Sequence, residues 1–577
     1  MDNEPAVLPP PEPPAPDSKH GGALGERASL GAFWNAVFLP LKLAARLVAS
    51  VVVVRVLKID TYTVLAQLSA LLALLGIFSD LGVERALPRF IPEFEMEGGR
   101  AGLNLLLRRV VVIKALTILP FVLALLAFPG FFSGLLNLSA ADQRQLSGGL
   151  LGANPVPVLL GIVALMLVLG AASDVSVQVL YAYFRQKMTN ALDVLNALLI
   201  PGLRALLVGL FSVFGALLAL LIGTVISVAI SVCLMFHALA EERMGLRATP
   251  RPGADPALRP SERTVWRRFT AYSAIMYMIN LSTALVDQPF VVPLLSVLVA
   301  DSSRERQEVA LITLAFQLVR QVLQALVVPL TGVQASLFAR LYAQNRIDGL
   351  RTAYASVTRF LILVLVPAGV GTILLVHNVL VLLYLQFGRD AVLTEARLPE
   401  AVTACAILAV GLFGESLIGV ALQVLLVYEK HRIVLLARSV TLVSIPLMLL
   451  LEPRFGVVGV ALAVATATLG SRLVALAFGL GRLGLSFPTG FLGKVALATL
   501  PMALLVGPAA ALLPIDPARN RFSGPWFLLV GADVGLIGLG MLLFWLAFRR
   551  LGGLLPEDKE RFAGMRIPGI KLVLRYL

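Results

Sequence analysis

Long apolar segments alternate with short polar ones along almost the whole chain. A window of about 20 apolar residues is long enough for a helix to cross a hydrocarbon core of about 30 Å. Such windows, built mainly from Leu, Val, Ala, Ile and Phe, recur from residue 31 to residue 548. They predict about fourteen membrane-spanning helices, near residues 31–54, 62–83, 107–129, 157–180, 190–212, 215–239, 270–297, 309–336, 356–385, 402–427, 433–451, 456–480, 490–513 and 525–548.

The composition agrees with this pattern. Of the 577 residues, 58% are hydrophobic and 14% are charged, and the mean hydropathy is +0.89. Soluble domains contain about 45–50% apolar and about 25% charged residues, so we expect an all-α integral membrane protein. The two cysteines, Cys233 and Cys405, lie in apolar segments and predict neither a disulfide framework nor a metal site.

The net charge of +14 is distributed unevenly between the two sides of the predicted membrane. Most Lys and Arg residues lie in loops that share a side with the N-terminus, including residues 85–109, 241–268 and 549–575. Because Lys and Arg are retained on the cytoplasmic side, both termini are predicted to be cytoplasmic. The basic charge is then a topology signal, and no nucleic-acid partner is needed to explain it.

Two halves of the chain resemble each other. YFRQKMTNALDVLNALLIP begins at Tyr183, YEKHRIVLLARSVTLVSIP begins at Tyr428, and a Phe-Gly pair follows each, at 214–215 and 455–456. A repeat of about 245 residues contains six spans, so both halves have the same orientation in the membrane. This parallel repeat is one of the arrangements of two-lobed transporters.

The repeat divides the chain into segments. We predict a disordered Pro-rich cytoplasmic tail at 1–29, an N-terminal six-helix lobe at 30–240, a cytoplasmic linker at 241–268, a C-terminal six-helix lobe at 269–485, two additional transmembrane helices at 486–550 and a basic cytoplasmic tail at 551–577. The tail at 1–29 has no basic start followed by an apolar core, so it is not predicted to be a signal peptide.

Two segments carry a family resemblance. RVLKIDTYTVLAQLSALLALLGIFSDLGVERALPRFIPEF (55–94) resembles the first hairpin of the polysaccharide-biosynthesis flippases of the multidrug/oligosaccharidyl-lipid/polysaccharide (MOP) exporter superfamily. YEKHRIVLLARSVTLVSIPLMLLLEPRFGVVGVALA (428–463) resembles spans 11 and 12 of the same family. The resemblance extends over residues 30–485 and rests on pattern and topology.

The resemblance implies a MATE-like, V-shaped transporter that alternates between inward-open and outward-open states. Its substrate would be an undecaprenyl-pyrophosphate-linked oligosaccharide, moved from the inner to the outer leaflet of the bacterial inner membrane for O-antigen or exopolysaccharide synthesis. Implied partners are this lipid-linked substrate, membrane lipids, and a polysaccharide polymerase with its assembly proteins. The lipid and sugar move intact, so the expected protein is not an enzyme, and a proton or sodium gradient or the membrane potential would supply energy.

Charged and polar side chains within the spans identify a candidate substrate site. A charge near the bilayer centre costs about 2.5–3.5 kcal/mol, so it usually faces a cavity or a partner. Lys42 and Arg46 share one helix face, and a polar stripe follows the eighth span. Since guanidinium groups bind phosphate bidentately, we predict a cationic cavity lined by Lys42, Arg46, Arg204, Gln317, Arg320, Gln321, Gln324 and Arg438.

Structural pairing is the alternative for each of these charges. Lys42 can pair with an acid such as Asp287, and interlobe or helix-end pairs would satisfy the arginines. Asp174 and Asp287 are candidates for proton or cation coupling, with ion pairing as the alternative. Asp80 and Arg85 are candidates for a latch that joins the lobes, with solvated anchoring of a helix end as the alternative.

Motifs for cofactors and catalysis are missing. GLGRLG (479–484) matches Gly-x-Gly-x-x-Gly but follows a membrane helix and no strand, and the histidines lack metal-ligand spacing. We predict no catalytic residue, cofactor or metal. Open alternatives are a peptidoglycan-precursor (lipid II) flippase, an ion-coupled multidrug exporter of the same superfamily, a membrane glycosyltransferase or polymerase, and a non-transporting scaffold.

Overall fold

A computed structural model describes most of the chain. It covers residues 41–135, 155–183, 185–248, 262–299, 302–343, 345–385, 391–513 and 524–554. The predicted tail at 1–29, the middle of the predicted linker (249–261) and the predicted tail from residue 555 onward lie outside the described residues. Helices extend into both ends of the predicted linker, to Ala248 and from Glu262.

All regular secondary structure in these ranges is helical. Residues 41–56 form α1. The helices that follow are α2 (Ile59–Asp80), α3 (Val83–Ala127), α4 (Pro129–Leu135), α5 (Val156–Ala182), α6 (Gln186–Ala248), α7 (Glu262–Ala284), α8 (Gln288–Leu298), α9 (Ser302–Ala343), α10 (Ile347–Leu383), α11 (Leu398–Ile418), α12 (Val420–Val427), α13 (His431–Ser439), α14 (Ser444–Phe455), α15 (Val457–Leu483), α16 (Thr489–Leu512) and α17 (Gly524–Arg550). Two 3₁₀ helices are Glu395–Arg397 and Val440–Val443.

The number of membrane crossings agrees with the sequence pattern. The described residues contain 11 helical segments long and apolar enough to span a membrane, or 12 if α7 and α8, bent by 52°, form one span. One segment, Met188–Ala240, folds back at Ser212 and so crosses twice. Helix α1 is the described part of the first predicted span. The protein is therefore an all-α, multi-pass membrane protein.

The fold-back at Ser212 recurs in the second half. Ser212 has φ 55° and ψ −131°, and Gly456 has φ 55° and ψ −136°. A Cβ on Gly215 or on Gly459 would overlap the carbonyl oxygen eight residues earlier (215 − 207, 459 − 451). The two turns are offset by 244 residues (456 − 212), three more than the predicted pairing of 214–215 with 455–456. The structure aligns Ser212 with Gly456 and Gly215 with Gly459. The sequence alignment instead paired Gly215 with Gly456, because the first half has serine and not glycine at the turn.

The preceding connection is repeated as well. In each half a helix ends with the same two backbone hydrogen bonds. These are Tyr183 N to Val179 O (3.3 Å), Arg185 N to Leu180 O (2.9 Å), Tyr428 N to Val424 O (3.0 Å) and Lys430 N to Leu425 O (3.0 Å). Corresponding residues are offset by 245 (428 − 183, 430 − 185). Matched backbone geometry thus supports the repeat independently of side-chain identity.

Helix α3 is also folded back on itself. Glu84 and Lys114 form an ion pair, although 30 residues (114 − 84) of straight helix would separate them by about 45 Å. A Cβ on Gly102 would lie 2.7 Å from the carbonyl oxygen of Phe94. The chain therefore reverses between Phe94 and Gly102, and the first part of α3 lies beside its apolar part, Ala101–Ala127.

The helices pack as two lobes with an added hairpin. In the N-terminal lobe α5 packs against α3 and α6, and in the C-terminal lobe α11 packs against α9, α10 and α15. The hairpin of α16 and α17 packs against α10. Between the lobes, α2 contacts α8 and α9, and α3 contacts α7. These interlobe helices position the candidate site.

Candidate functional site

Polar side chains of α1 contact α9 and the end of α10 across the lobe boundary. Arg46 Nη1 donates to Gln324 Oε1 at 3.2 Å. Ser50 Oγ donates to Gln317 Oε1 at 3.4 Å and lies 3.2 Å from the Tyr384 hydroxyl. We call these three contacts the central zipper. It unites three of the predicted site residues, Arg46, Gln317 and Gln324.

Lys42 lies one helical turn before Arg46 and is buried. Its electrostatic neighbours include Asp193 of α6 and Arg46. The suggested partner Asp287 instead pairs with Arg320, at 2.6 Å between Oδ1 and Nη2, and caps α8 by accepting from Gln288 N. The pairing proposed for Lys42 with Asp287 is therefore not present among the described contacts.

Arg320 contributes to a second group within the C-terminal lobe. Besides pairing with Asp287, it is an electrostatic neighbour of Glu415, which forms an ion pair with Arg472. Arg438 is 8% exposed and lies beside both members of that pair. The Nε atoms of Arg438 and Arg472 are buried without a hydrogen-bond partner in the described structure. This group therefore contains more guanidinium groups than carboxylates.

Two predicted residues lie at the edge of the central zipper. The Gln321 Oε1 atom is buried without a hydrogen-bond partner among the described residues. Arg204 lies beside Tyr62, whose other electrostatic neighbour is Tyr384 of the central zipper. Arg204 also has a buried Nε atom with no described partner. Both side chains thus retain unused hydrogen-bonding capacity near the zipper.

The candidate coupling and latch residues fall into two places. Asp80 accepts from Asn280 Nδ2 of the other lobe at 2.9 Å and from Lys114 Nζ at 3.4 Å. Asp174 is an electrostatic neighbour of both Lys114 and Asp80. Arg85 instead lies near Arg438, a like charge. Asp80 therefore lies at an interlobe contact and Arg85 lies beside a cation of the C-terminal lobe, and the latch stays a prediction.

Lys114 and Glu84 are charged residues of this region that are not among the predicted site residues. Lys114 is buried and pairs with both Asp80 and Glu84. Glu84 precedes the apolar part of α3, and its burial raises its pKa to about 8, with Lys114 opposing this rise and Asp174 and Asp80 adding to it. One ammonium group therefore faces more carboxyl groups than it can neutralise. A lysine in the apolar run 101–127 was the available signal.

One end of the lobe boundary is closed by strong polar contacts, and we call it the Arg306 end. Arg306 Nη1 pairs with Asp60 Oδ1 at 2.8 Å. The Gln67 amide nitrogen donates to Ser296 Oγ and to Glu305 Oε1, both at 2.8 Å. Arg55 donates to the carbonyl oxygens of Leu382 and Leu383 at the end of α10, at 2.9 Å and 3.0 Å.

The opposite end, which we call the Arg89 end, combines aromatic contacts with more exposed ion pairs. Arg89 Nη2 pairs with Glu429 Oε1 at 2.8 Å, and both side chains are more than a third exposed. Arg268 pairs with Glu93 at 3.3 Å. The ring centroids of Phe90 and Phe269 lie 5.5 Å apart. The topology prediction assigns this end to the cytoplasm.

The partners at both ends could not be identified from the sequence. Their members are 175 to 340 positions apart in the chain, and most are ordinary charged residues at the edges of apolar segments. Among the described residues, no group of three or more His, Cys, Asp or Glu side chains could hold a metal ion.

Comparison with known proteins gives structural matches only. No family model matches the chain, and no curated protein matches it in sequence. The lipid II flippase MurJ, in an inward closed conformation, superposes with a TM-score of 0.61 at 14% identity and covers 89% of this chain and 97% of that chain.

Two further structures belong to the MOP superfamily. An inward-facing multidrug resistance transporter of the MATE family has a TM-score of 0.55 at 15% identity, covering 77% of this chain and 94% of that one. A MOP superfamily transporter from Pyrococcus furiosus, whose description notes the reverse polarity of its binding pocket, has a TM-score of 0.53 at 14% identity. The match covers 80% of this chain and 95% of that chain. At these identities the comparison shows the fold, which is that of MOP superfamily transporters.

Proposed function

We propose that the protein is a flippase for an undecaprenyl-pyrophosphate-linked oligosaccharide, which it moves from the inner to the outer leaflet of the bacterial inner membrane for surface polysaccharide synthesis. The MOP transporter fold supports a transport function over an enzymatic one. Both termini would face the cytoplasm, with the Arg89 end on that side. Substrate would reach the lobe boundary from the Arg89 end and leave at the Arg306 end.

The observation that carries this proposal is the chemistry of the central zipper. Arg46 lies at the lobe boundary within one turn of Lys42, and its described hydrogen-bond acceptor is the neutral amide of Gln324. The C-terminal lobe adds Arg320, Arg438 and Arg472, of which Arg438 is buried beside another cation. A pyrophosphate carries about two to three negative charges and accepts bidentate hydrogen bonds from arginine. Arg320 and Arg472 have carboxylate partners in Asp287 and Glu415, so the headgroup would supply an anionic acceptor for Arg46 and a counter-charge for Arg438.

A lipid II flippase is the second candidate function. The similarity to MurJ covers 89% of this chain, which is more than the two predicted six-helix lobes alone contain. Lipid II also has a pyrophosphate between a polyprenyl chain and a saccharide, so the same cations would suit it. The two candidates differ in the sugar, and complementation of a strain that lacks its lipid II flippase would separate them.

An ion-coupled multidrug exporter is less well supported. A pocket for organic cations requires acidic groups without cationic partners. Around the central zipper the described acids already have such partners, because Asp287 pairs with Arg320 and Glu415 pairs with Arg472. For the proposed flippase, a proton gradient, a sodium gradient or the membrane potential would supply the energy, and no cofactor is required.

A strain that lacks the gene provides the test. We expect complete lipid-linked oligosaccharides to accumulate in its inner leaflet. Wild-type protein should clear them, whereas Arg46→Ala and Arg320→Ala should lower the rate of transfer about 10- to 100-fold, because each loses a charge-assisted hydrogen bond of about 1.5–3 kcal/mol. The leaflet distribution is measured by the accessibility of the saccharide to an impermeant enzyme.

A matched control removes an arginine whose described contact lies within its own helix. Arg482, at the end of α15, contacts the Phe478 ring, and Arg482→Ala should transfer oligosaccharides at the wild-type rate. Incomplete oligosaccharides in the mutant strain, or complete ones already in the outer leaflet, would contradict the proposal and indicate an assembly or enzymatic role.

A further inference from the structure

The interlobe contacts differ in kind along the boundary. At the Arg306 end they include an ion pair at 2.8 Å and an amide-to-carboxylate bond at 2.8 Å. At the Arg89 end they include ion pairs and packed aromatic rings. The central zipper between them has longer bonds, at 3.2–3.4 Å, with neutral acceptors. The described bonds of the central zipper are therefore longer than the polar contacts of the Arg306 end.

The residues on both sides of the zipper are arranged for exchange with a ligand. On α1, Lys42, Arg46 and Ser50 are spaced by four residues and share one face. On α9, Gln317, Gln321 and Gln324 share a face in the same way, and both Arg46 and Gln324 are exposed. Gln321 Oε1 lacks a described partner although it is buried. The two faces thus present donors on α1 opposite amide oxygens on α9.

A neutral acceptor has a specific consequence for an anionic ligand. If residue 324 were an acid, an arriving anion would have to displace a carboxylate and would then lie beside it. Breaking an ion pair by removal of one partner is costly because the other charge is left uncompensated. An amide that is displaced from Arg46 carries no net charge and can turn to other partners. The bond between Arg46 and Gln324 is therefore suited to replacement by an anion.

We propose that Gln324 and Gln317 are placeholder ligands. They hold Arg46 and Ser50 while the lobes are closed without substrate, and the diphosphate of a lipid-linked saccharide displaces them on loading. This inference rests on the proposed function for the identity of the ligand, and it assigns a role to the glutamines beyond lining a cavity. Loading of the headgroup and loosening of the lobe boundary then become one event, because the same bonds serve both.

Cross-linking of the zipper tests the displacement directly. The probe is inorganic pyrophosphate, and the protein is the full chain in detergent with Cys233→Ser and Cys405→Ser. The pair Ser50→Cys with Gln317→Cys should form a disulfide, and pyrophosphate should slow its formation about fivefold or more relative to sodium chloride of equal ionic strength. The control pair is Gln67→Cys with Ser296→Cys at the Arg306 end, whose rate should not change.

A charge variant tests the placeholder itself. Gln324→Glu places a carboxylate on Arg46, and the pyrophosphate concentration that half-maximally slows zipper cross-linking should rise about tenfold, equivalent to about 1.4 kcal/mol. Gln423→Glu makes the same substitution at an exposed position of α12 and should behave as the parent. An equal response in Gln324→Glu and the parent would overturn the proposal.

The remaining outcomes separate this inference from the proposed function. If pyrophosphate leaves zipper cross-linking unchanged, or slows both cysteine pairs equally, the placeholder role is wrong even if the protein transports a lipid-linked saccharide. If pyrophosphate slows only the zipper pair but the gene deletion leaves oligosaccharides correctly distributed, the placeholder role stands and the proposed function fails.

Discussion

At the scale of single residues, Gly82 shows how tightly the lobes approach each other at the Arg89 end. Its φ is +70°, and a Cβ there would overlap the Ser273 carbonyl oxygen and lie 2.6 Å from Tyr277 N. Both contacts belong to α7 of the other lobe and involve backbone atoms, which cannot rotate away. A side chain at residue 82 is therefore incompatible with the closed arrangement.

We predict that Gly82→Ala opens the Arg89 end. The added methyl group must separate α7 from the connection between α2 and α3, so a spin-label pair on the exposed ends of these segments should report a longer distance. Gly76→Ala is the matched control, because Gly76 has no atom within 4 Å of its Cβ position. Closed-state distances in both variants would contradict this account of the contact.

Individual site residues could be identified from the sequence only in part. Lys42, Arg46 and the α9 glutamines stood out because polar groups are rare in apolar runs and shared a helical face. Their partners could not be identified, because helical periodicity gives the face of a residue and not the helix opposite it. The sequence offers Asp287 as a partner for Lys42, whereas the structure pairs Asp287 with Arg320. Lys114 was missed because it is a single charge in an otherwise apolar run.

At the scale of elements, the repeated turn between the last two spans of each lobe carries unequal strain. Ser212 and Gly456 have nearly the same backbone angles, in a region that is close to glycine-only. A non-glycine residue in such a region costs of order 1–3 kcal/mol. The first half of the chain bears this cost and the second half avoids it.

Exchange of these two residues should therefore have opposite effects. Ser212→Gly should raise the midpoint of thermal unfolding in detergent, since relief of strain exceeds the added backbone entropy of about 0.5–1 kcal/mol. Gly456→Ser should lower it. The measurement is intrinsic tryptophan fluorescence during heating. Destabilisation by both substitutions would show that the two turns are not equivalent.

The elements themselves were largely predictable. Apolar runs of sufficient length predicted each span, since a bilayer leaves few alternatives to a helix. The reversal within α3, between Phe94 and Gly102, was not predicted, because the segment is polar and gives no membrane signal. The bend between α7 and α8 was also missed, although Asp287 followed by a proline two residues later is a typical helix start.

At the scale of the whole molecule, two lobes are joined at both ends and meet through longer polar contacts between them. The sequence predicted the two-lobed arrangement because its halves share turns and span number. It could not predict which state the lobes adopt, since that depends on contacts between residues far apart in the chain. The same arrangement suits alternating access, in which one end opens while the other stays closed.

The central claim is that this molecule moves a pyrophosphate-linked glycolipid. The most direct measurement uses purified protein in vesicles that contain a fluorescent undecaprenyl-pyrophosphate-linked oligosaccharide, with loss of fluorescence to an impermeant quencher as the readout of transfer between leaflets. We predict rapid transfer that requires the protein, is about 10- to 100-fold slower in Arg46→Ala and is at least about tenfold slower for an uncharged polyprenyl glycolipid. Equal rates for the charged and uncharged lipids, or no transfer above protein-free vesicles, would contradict the account.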